Sequence, residues 1–272
     1  MIKNTELMQL LELVRNKKPL IHHITNYVTV NDCANITLAI GASPIMADAI
    51  EEAGDIAAIS SALVLNIGTL NPRTIESMIE AGKSANKNGV PVVFDPVGAG
   101  ASKLRNDATT RILNEIKISA LRGNISEIRY ISGLASNTKG VDASVDDMSD
   151  DANTIASDLS LKLRCVVAIT GAVDTISDGS HTVSVRNGHP MMSSITGTGC
   201  MCSSLVGSFC GAAPESIFNG VIAAIICMGI AGEIAFEKAG LVGNGSFHMA
   251  LLDAISKIDA NTISGRAKVD EA

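Results

Sequence analysis

Tryptophan is absent from this chain of 272 residues, and aromatic residues of all kinds make up only 3% of it. A core must therefore be filled by Ala, Ile, Val, Leu and Met packed closely, and stacking platforms for nucleic-acid bases are excluded. Clusters of Lys and Arg are missing as well. The formal net charge is -7, whereas nucleic acids and anionic membranes are bound through basic patches. Neither partner fits, and a small-molecule ligand does. The six cysteines, at 33, 165, 200, 202, 210 and 227, include no CxxC pair and sit mostly in apolar stretches, unlike a secreted disulfide framework. The longest apolar run, from Gly220 to Gly232, stops at Glu233. That is short of the roughly 20 residues a bilayer span requires, so it reads as a buried helix. Met1 to Lys18 carries Glu6 and Glu12 within its apolar pattern and lacks the uncharged core of a signal peptide. These absences predict a protein of the reducing cytoplasm.

What is present points to a folded α/β chain. Hydrophobic residues are 46%, charged residues 18%, and there are 24 glycines, a composition that buries a large core. The length admits one large domain or two small ones, and because no linker divides the sequence, residues 1–272 read as a single domain. Short β-rich runs alternate with helical patterns: Pro19 to Thr25, Ser43 to Ala47, Ala62 to Gly68, Val90 to Asp95, Ile118 to Arg122 and Cys165 to Thr170. This is the βαβ pattern. Runs such as Val90-Pro91-Val92-Val93-Phe94 are apolar without alternation, as strands buried on both faces of a parallel sheet are. Asp174 to Arg186, with Asp178-Gly179 inside it, reads as an antiparallel hairpin at the sheet edge. From Gly197 onward strand signals stop, and helices are expected from Gly197 to about Gly211, after Pro214, and across Ser246 to Ile258. The acidic run from Asp142 to Asp158 reads as a solvated face.

Chemistry concentrates at a few strand ends. Ile195-Thr196-Gly197-Thr198-Gly199-Cys200 is a Gly-rich turn opening into the helical pattern Met201 to Phe209. Glycines there allow close approach, successive N–H groups face a ligand, and the helix dipole adds positive charge, which makes an anion site. Taken alone, the same turn can simply start a helix. Asp95, in Phe94-Asp95-Pro96-Val97-Gly98, ends a buried strand, where open α/β sheets bind ligands. It suits Mg²⁺ as an outer ligand, or a turn hydrogen bond. In Leu121-Arg122-Gly123-Asn124-Ile125-Ser126-Glu127, Asn124 and Glu127 fall three apart on the first turn of a helix and face one way. A capping box has the same spacing. Thr170 and Gly171 end the strand that begins at Cys165.

Together these features resemble the ribokinase-like fold, a three-layer α/β/α architecture with a mostly parallel sheet and, here, a helical C-terminal portion. Three further stretches, His22-His23-Ile24-Thr25-Asn26-Tyr27-Val28-Thr29, Gly41-Ala42-Ser43-Pro44-Ile45-Met46 and Asn66-Ile67-Gly68-Thr69, resemble the hydroxyethylthiazole kinase family of thiamine salvage. The likeness spans nearly the whole chain. It implies an ATP-dependent kinase that phosphorylates the hydroxyl of 4-methyl-5-(2-hydroxyethyl)thiazole, with Mg²⁺, as a homotrimer. It implies that Asn26, Met46, Gly68 and Gly197 bind the thiazole, that Gly197, Gly199 and Cys200 form the catalytic turn, and that Arg122, Asn124 and Thr170 meet the nucleotide. Asp95 and Glu127 then act around Mg²⁺. Elementary chemistry agrees: a guanidinium fork suits phosphate, Mg²⁺ takes oxygen ligands, and a thiazole needs an apolar wall such as Met46, although a lone Met is as readily plain core.

One position departs from the wider fold. Where that fold usually carries an Asp that takes the proton from the attacking hydroxyl, this chain has Cys200. A helix N-terminus favours the thiolate and nearby phosphates oppose it. The loose transition state of phosphoryl transfer asks little of a base, so activity is expected. His22 and His23 are read as structural rather than catalytic. Rival readings are a kinase for another vitamin precursor such as a hydroxymethylpyrimidine, a nucleotide-dependent dehydratase that repairs a cofactor, and a non-catalytic nucleotide-binding module.

Overall fold

Strand residues point alternately to two separate cores, and that alternation organises the molecule. The computed structural model describes residues 4–134 and 145–271. Its elements run α1 (Asn4–Lys17), β1 (Leu20–Ile24), α2 (Val30–Ile40), β2 (Ser43–Met46), α3 (Ile50–Ile59), β3 (Ala62–Asn66), α4 (Pro72–Lys87), β4 (Val92–Asp95), α5 (Lys103–Glu115), β5 (Ala120–Asn124), α6 (Ile125–Ser132) and α7 (Val145–Leu163). There follow β6 (Val166–Thr170), β7 (Asp174–Ser177), β8 (Thr182–Val185), a short 3₁₀ turn (Pro190–Ser194), α8 (Thr198–Ala212), α9 (Ile217–Ala239), α10 (Asn244–Lys257), α11 (Ala260–Arg266) and β9 (Val269–Glu271).

The strands form one sheet in the order β2-β1-β3-β4-β5-β6-β7-β8-β9. The strands from β2 through β6 pair in parallel, and the hairpin β7–β8 with β9 continues the sheet antiparallel. In β3, Ala62 and Val64 join a core shared with α1, α2, α8, α9, α10 and α11, while Leu63 and Leu65 join one shared with α3 to α7. Val93 of β4 faces the first core, and Val92 and Phe94 face the second. This is the period-two geometry of a strand buried on both faces. The β1–β2 crossover runs through α2 on one face and the β3–β4 crossover through α4 on the other. The strand order therefore reverses beside β1, which puts a ligand crevice at the C-terminal strand ends.

Four differences from the sequence reading have physical causes. The strand expected over Ile118 to Arg122 lies at Ala120–Asn124, so Asn124 is both its last residue and the N-cap of α6. The hairpin turns through the four residues 178–181, with Asp178 Oδ1 accepting the N–H groups of Ser180 and His181 at 2.8 and 2.7 Å. A strand does follow Gly197: β9 pairs with β8, and its Asp270 and Glu271 hide it because an exposed edge needs no apolar alternation. The helix that holds the apolar run from Gly220 extends beyond it, since α9 has 23 residues and the hydropathy to cross a bilayer, and as expected it is a buried helix, with 72% of its most apolar stretch buried against the protein. Of the acidic run, residues 142–144 lie outside the described residues, and the remainder belongs to α7, with Asp158 exposed. All six cysteines are free.

Candidate active site

Five strand ends and two helix starts meet at a single edge of the sheet. A cavity of about 390 Å³ there is lined by Asn26 after β1, Gly68 after β3, Asp95 of β4, Arg122 and Asn124 of β5, Glu127 of α6, and Gly197, Gly199 and Cys200 at the start of α8. A second cavity of about 500 Å³ shares Arg122, Asn124 and Gly199 with it and adds Thr170, Gly171, Asp174, His189, Met192 and Met228. The two adjoin at Arg122 and the Gly-rich turn.

That turn requires its glycines for two different reasons. Gly197 caps α8 with φ at 89°, and a Cβ there would come within 2.8 Å of Thr29 Cγ2. Gly199 lets the helix start approach Arg122, since a Cβ would meet Nη1 at 2.7 Å. The unpaired amides of the first turn and the guanidinium therefore adjoin, which concentrates positive potential where the cavities join.

Asp95 is fully buried. Its Oδ2 accepts from Ser203 Oγ at 2.8 Å and from Asn66 Nδ2 at 2.9 Å, and Arg122 Nη1 lies 3.5 Å away. Its Oδ1 has no partner. Burial pushes the Asp95 carboxyl above its ordinary range against the pull of Arg122, Ser203 and Asn66. Burial also works against the charge on Arg122, but Asp95 and the nearby acids outweigh it and hold the guanidinium protonated. Arg122 Nη2 donates to Thr170 Oγ1 at 2.6 Å. Glu127 and Asn124 form the capping box: Asn124 Oδ1 accepts the Glu127 N–H at 2.9 Å, and Glu127 Oε2 accepts the Asn124 N–H at 2.8 Å. Glu127 Oε1 accepts from the Gly98 N–H at 2.8 Å. The capping reading of Glu127 holds, and the same carboxylate also lines the cavity. Burial raises its pKa, and the two backbone N–H groups oppose that.

The Cys200 sulfur accepts from Asn26 Nδ2 and Asn66 Nδ2, each at 3.3 Å. Met46 sits elsewhere: it is half-buried at the end of the edge strand β2, paired with His23, and does not line the cavity of this chain. His22 and His23 are buried beneath the site. His22 Nε2 lies 2.8 Å from the Ala47 carbonyl, and His23 Nε2 lies 3.2 Å from Ser204 Oγ, which donates to the Cys200 carbonyl.

Sequence reasoning missed Asn66, Ser203 and Arg105. Arg105 of α5 donates from Nη1 to the carbonyls of Ile67 and Val97, each at 2.5 Å, and from Nη2 to that of Gly68 at 2.7 Å. Asn66 matters through its register beside Asp95, which pairing across the sheet reveals and local sequence does not. For Arg105, in the first turn of a polar helix, there was no signal.

A mostly parallel α/β/α sandwich whose crevice gathers a Gly-rich helix start, Asp95 and Glu127 has the ribokinase-like fold, and a ribokinase-like superfamily protein from Enterococcus faecalis V583 shares that fold at a TM-score of 0.65, 11% identity, and coverage of 95% of this chain and 96% of its own. The particular family follows from closer relatives. The model of the hydroxyethylthiazole kinase family matches residues 11–261. A hydroxyethylthiazole kinase from Ruminiclostridium cellulolyticum is 62% identical over 267 residues, 98% of this chain and 97% of its own. The solved structure of a hydroxyethylthiazole kinase protein from Pyrococcus horikoshii OT3 superposes at a TM-score of 0.90 with 38% identity, covering 98% of this chain and 99% of that one. The chain belongs to the hydroxyethylthiazole kinase family.

Proposed function

We propose that this chain transfers the terminal phosphoryl group of ATP to the hydroxyl of 4-methyl-5-(2-hydroxyethyl)thiazole, in thiamine salvage. The observation that carries the reading is the meeting of Gly197, Gly199, Cys200, Asp95, Glu127 and Arg122 around one cavity, in a member of this family. The thiazole alcohol takes the cavity bounded by Asn26, Gly68 and Gly197, with its hydroxyl toward Cys200, which receives the proton. The nucleotide takes the adjoining cavity, its phosphates against Arg122, Thr170 and Asn124. Amides at the start of α8 and the Arg122 guanidinium stabilise the charge on the group in flight.

Mg²⁺ fits the donors present. Asp95 keeps one buried oxygen without a partner, and Glu127 lines the same cavity. Among the described residues no group of three or more His, Cys, Asp or Glu side chains is placed to hold a metal, and Mg²⁺ at phosphoryl-transfer sites is held by one or two carboxylates together with substrate phosphates and water. Asp95 and Glu127 would hold it, and the ion would neutralise phosphate charge.

Met46 contributes to the thiazole site across a homotrimer, in this proposal. Its support is the apolar surface left in the single chain: Tyr27 and Val28 after β1, Leu38 of α2 and Met249 of α10 are exposed, and α2 packs on α10. The chain acts as one domain in the cytoplasm, consistent with its free thiols. Incubation with Mg-ATP and a panel of vitamin-precursor alcohols tests the reading, with ADP and phosphorylated alcohol measured together. The thiazole alcohol should yield both in equal amounts. Turnover of a pyrimidine alcohol alone, or ADP-dependent dehydration with no phosphoester formed, overturns it. Sedimentation at micromolar concentration should give three times the chain mass.

A further inference from the structure

Asn66 uses all of its hydrogen-bonding capacity inside the site. It is the last residue of β3, is 1% exposed, and lies beside Asp95 in the register. An amide side chain offers two donors and two acceptor sites, and its orientation is decided by partners that can act only one way. Two backbone N–H groups decide it here. The Gly68 N–H, 2.9 Å from Asn66 Oδ1, makes that atom the oxygen. The Thr29 N–H, 3.0 Å from Asn26 Oδ1, does the same for Asn26. The Asn26 NH₂ group is thereby turned to Asn66 Oδ1 at 3.0 Å and to the Cys200 sulfur. The Asn66 NH₂ group is turned to Asp95 Oδ2 at 2.9 Å and to the same sulfur at 3.3 Å.

The sulfur therefore faces two N–H donors, which fix it as the acceptor of both bonds and set where it sits in the cavity. Asp95 is tied through Oδ2 to Asn66 and Ser203, which leaves Oδ1 without a partner. We propose that Asn66 is a positioning residue for phosphoryl transfer: one amide group aims both the Cys200 sulfur and the Asp95 carboxylate into the cavity. The inference rests on the kinase reading above and adds to it the group that links the proton acceptor to the acid.

Asn66→Asp separates the two halves of the amide. A carboxylate keeps both acceptor bonds, to Asn26 and Gly68, and gives up both donor bonds, to Cys200 and Asp95. Cys200 is the one cysteine that is not buried, so iodoacetamide labelling of the ATP-free protein at neutral pH, located by peptide mapping, reads its reactivity. In Asn66→Asp the labelling rate should fall by about tenfold or more, because the sulfur loses one of the two N–H groups that hold it toward the cavity. Turnover should fall by about a hundredfold while the KM for the thiazole alcohol stays within about threefold, the pattern of an interaction made in the transition state. A merely structural role would leave the labelling rate of folded protein unchanged. Asn66→Ser, which keeps a hydroxyl to accept from Gly68 and cannot reach the sulfur, should show the same fall and carries the test if the aspartate variant does not fold. An unchanged labelling rate or parental turnover in either folded variant overturns the proposal. If the parent phosphorylates no thiazole alcohol, the functional reading fails, while the labelling comparison still decides whether Asn66 sets the sulfur.

Discussion

A thiol at position 200 has to serve where a carboxylate is the wider fold's choice, and its neighbours show how. Two amide NH₂ groups face the sulfur at the start of α8, and in the proposed mechanism it accepts the proton there without a formal base beside it. Cys200→Asp should remain active, because a carboxylate accepts from the same amides. Cys200→Ala should lose about a hundredfold in kcat with the KM for the alcohol changed by less than about threefold. Steady-state kinetics on both variants check this, and unchanged turnover in the alanine variant would remove Cys200 from the mechanism. At this scale the sequence was readable wherever a side chain sits at a strand end in a motif of its own. Asp95, Arg122, Asn124 and Thr170 are such cases, Glu127 follows one on the first turn of α6, and all five line the two cavities. Asn66 and Ser203 were not readable, because what makes them matter is pairing across the sheet and contact with a helix more than 100 residues away in sequence.

At the scale of elements, β1, β3, β4 and β6 were legible because each is a short run buried on both faces, a pattern that survives without any knowledge of partners, whereas β2 is a half-buried edge strand and β5 lies two residues from its expected place. The short α11 and β9 were not, since packing on a finished core, rather than local pattern, makes them ordered. The same holds for Arg105, whose α5 is polar along most of its length. From that helix it gathers three carbonyls from the loops after β3 and β4, the loops that carry Gly68 and precede Gly98. Hydrogen bonds to a charged donor are worth more than neutral ones, and removing the donor strands the acceptors. Arg105→Met should therefore cost about 2–4 kcal/mol in urea-induced unfolding and raise the KM for the thiazole alcohol by roughly tenfold by loosening the Gly68 loop. Parental stability in this variant would show that the loops hold themselves.

At the scale of the whole molecule, the site's buried ionisable groups set opposing responses to acid. Burial holds His23 down at about 4 from an ordinary 6.5, against the Ile21 carbonyl that works the other way, and burial lowers His22 as well. The unfolded chain protonates these rings first, so their contribution to stability is complete above pH 6.5 and is lost as pH falls toward 4. Burial acts in the opposite sense on acids: Asp174 is pushed up to about 6, and Asp95 and Glu127 are raised too. Their contribution is present below their unfolded values near 4 and is lost as pH rises through the folded ones, which partly offsets the histidines between about pH 4 and 6. The two effects separate in His23→Gln, which leaves the acids in place and removes one imidazole. At pH 7 the variant should be the less stable, having lost the pairing of His23 with Ser204. At pH 5 that deficit should shrink by about 2 kcal/mol, since only the parent then bears the cost of an unprotonated ring. Urea titrations of both proteins at the two pH values measure it, and a deficit that stays constant would mean that His23 is not held neutral in the folded chain.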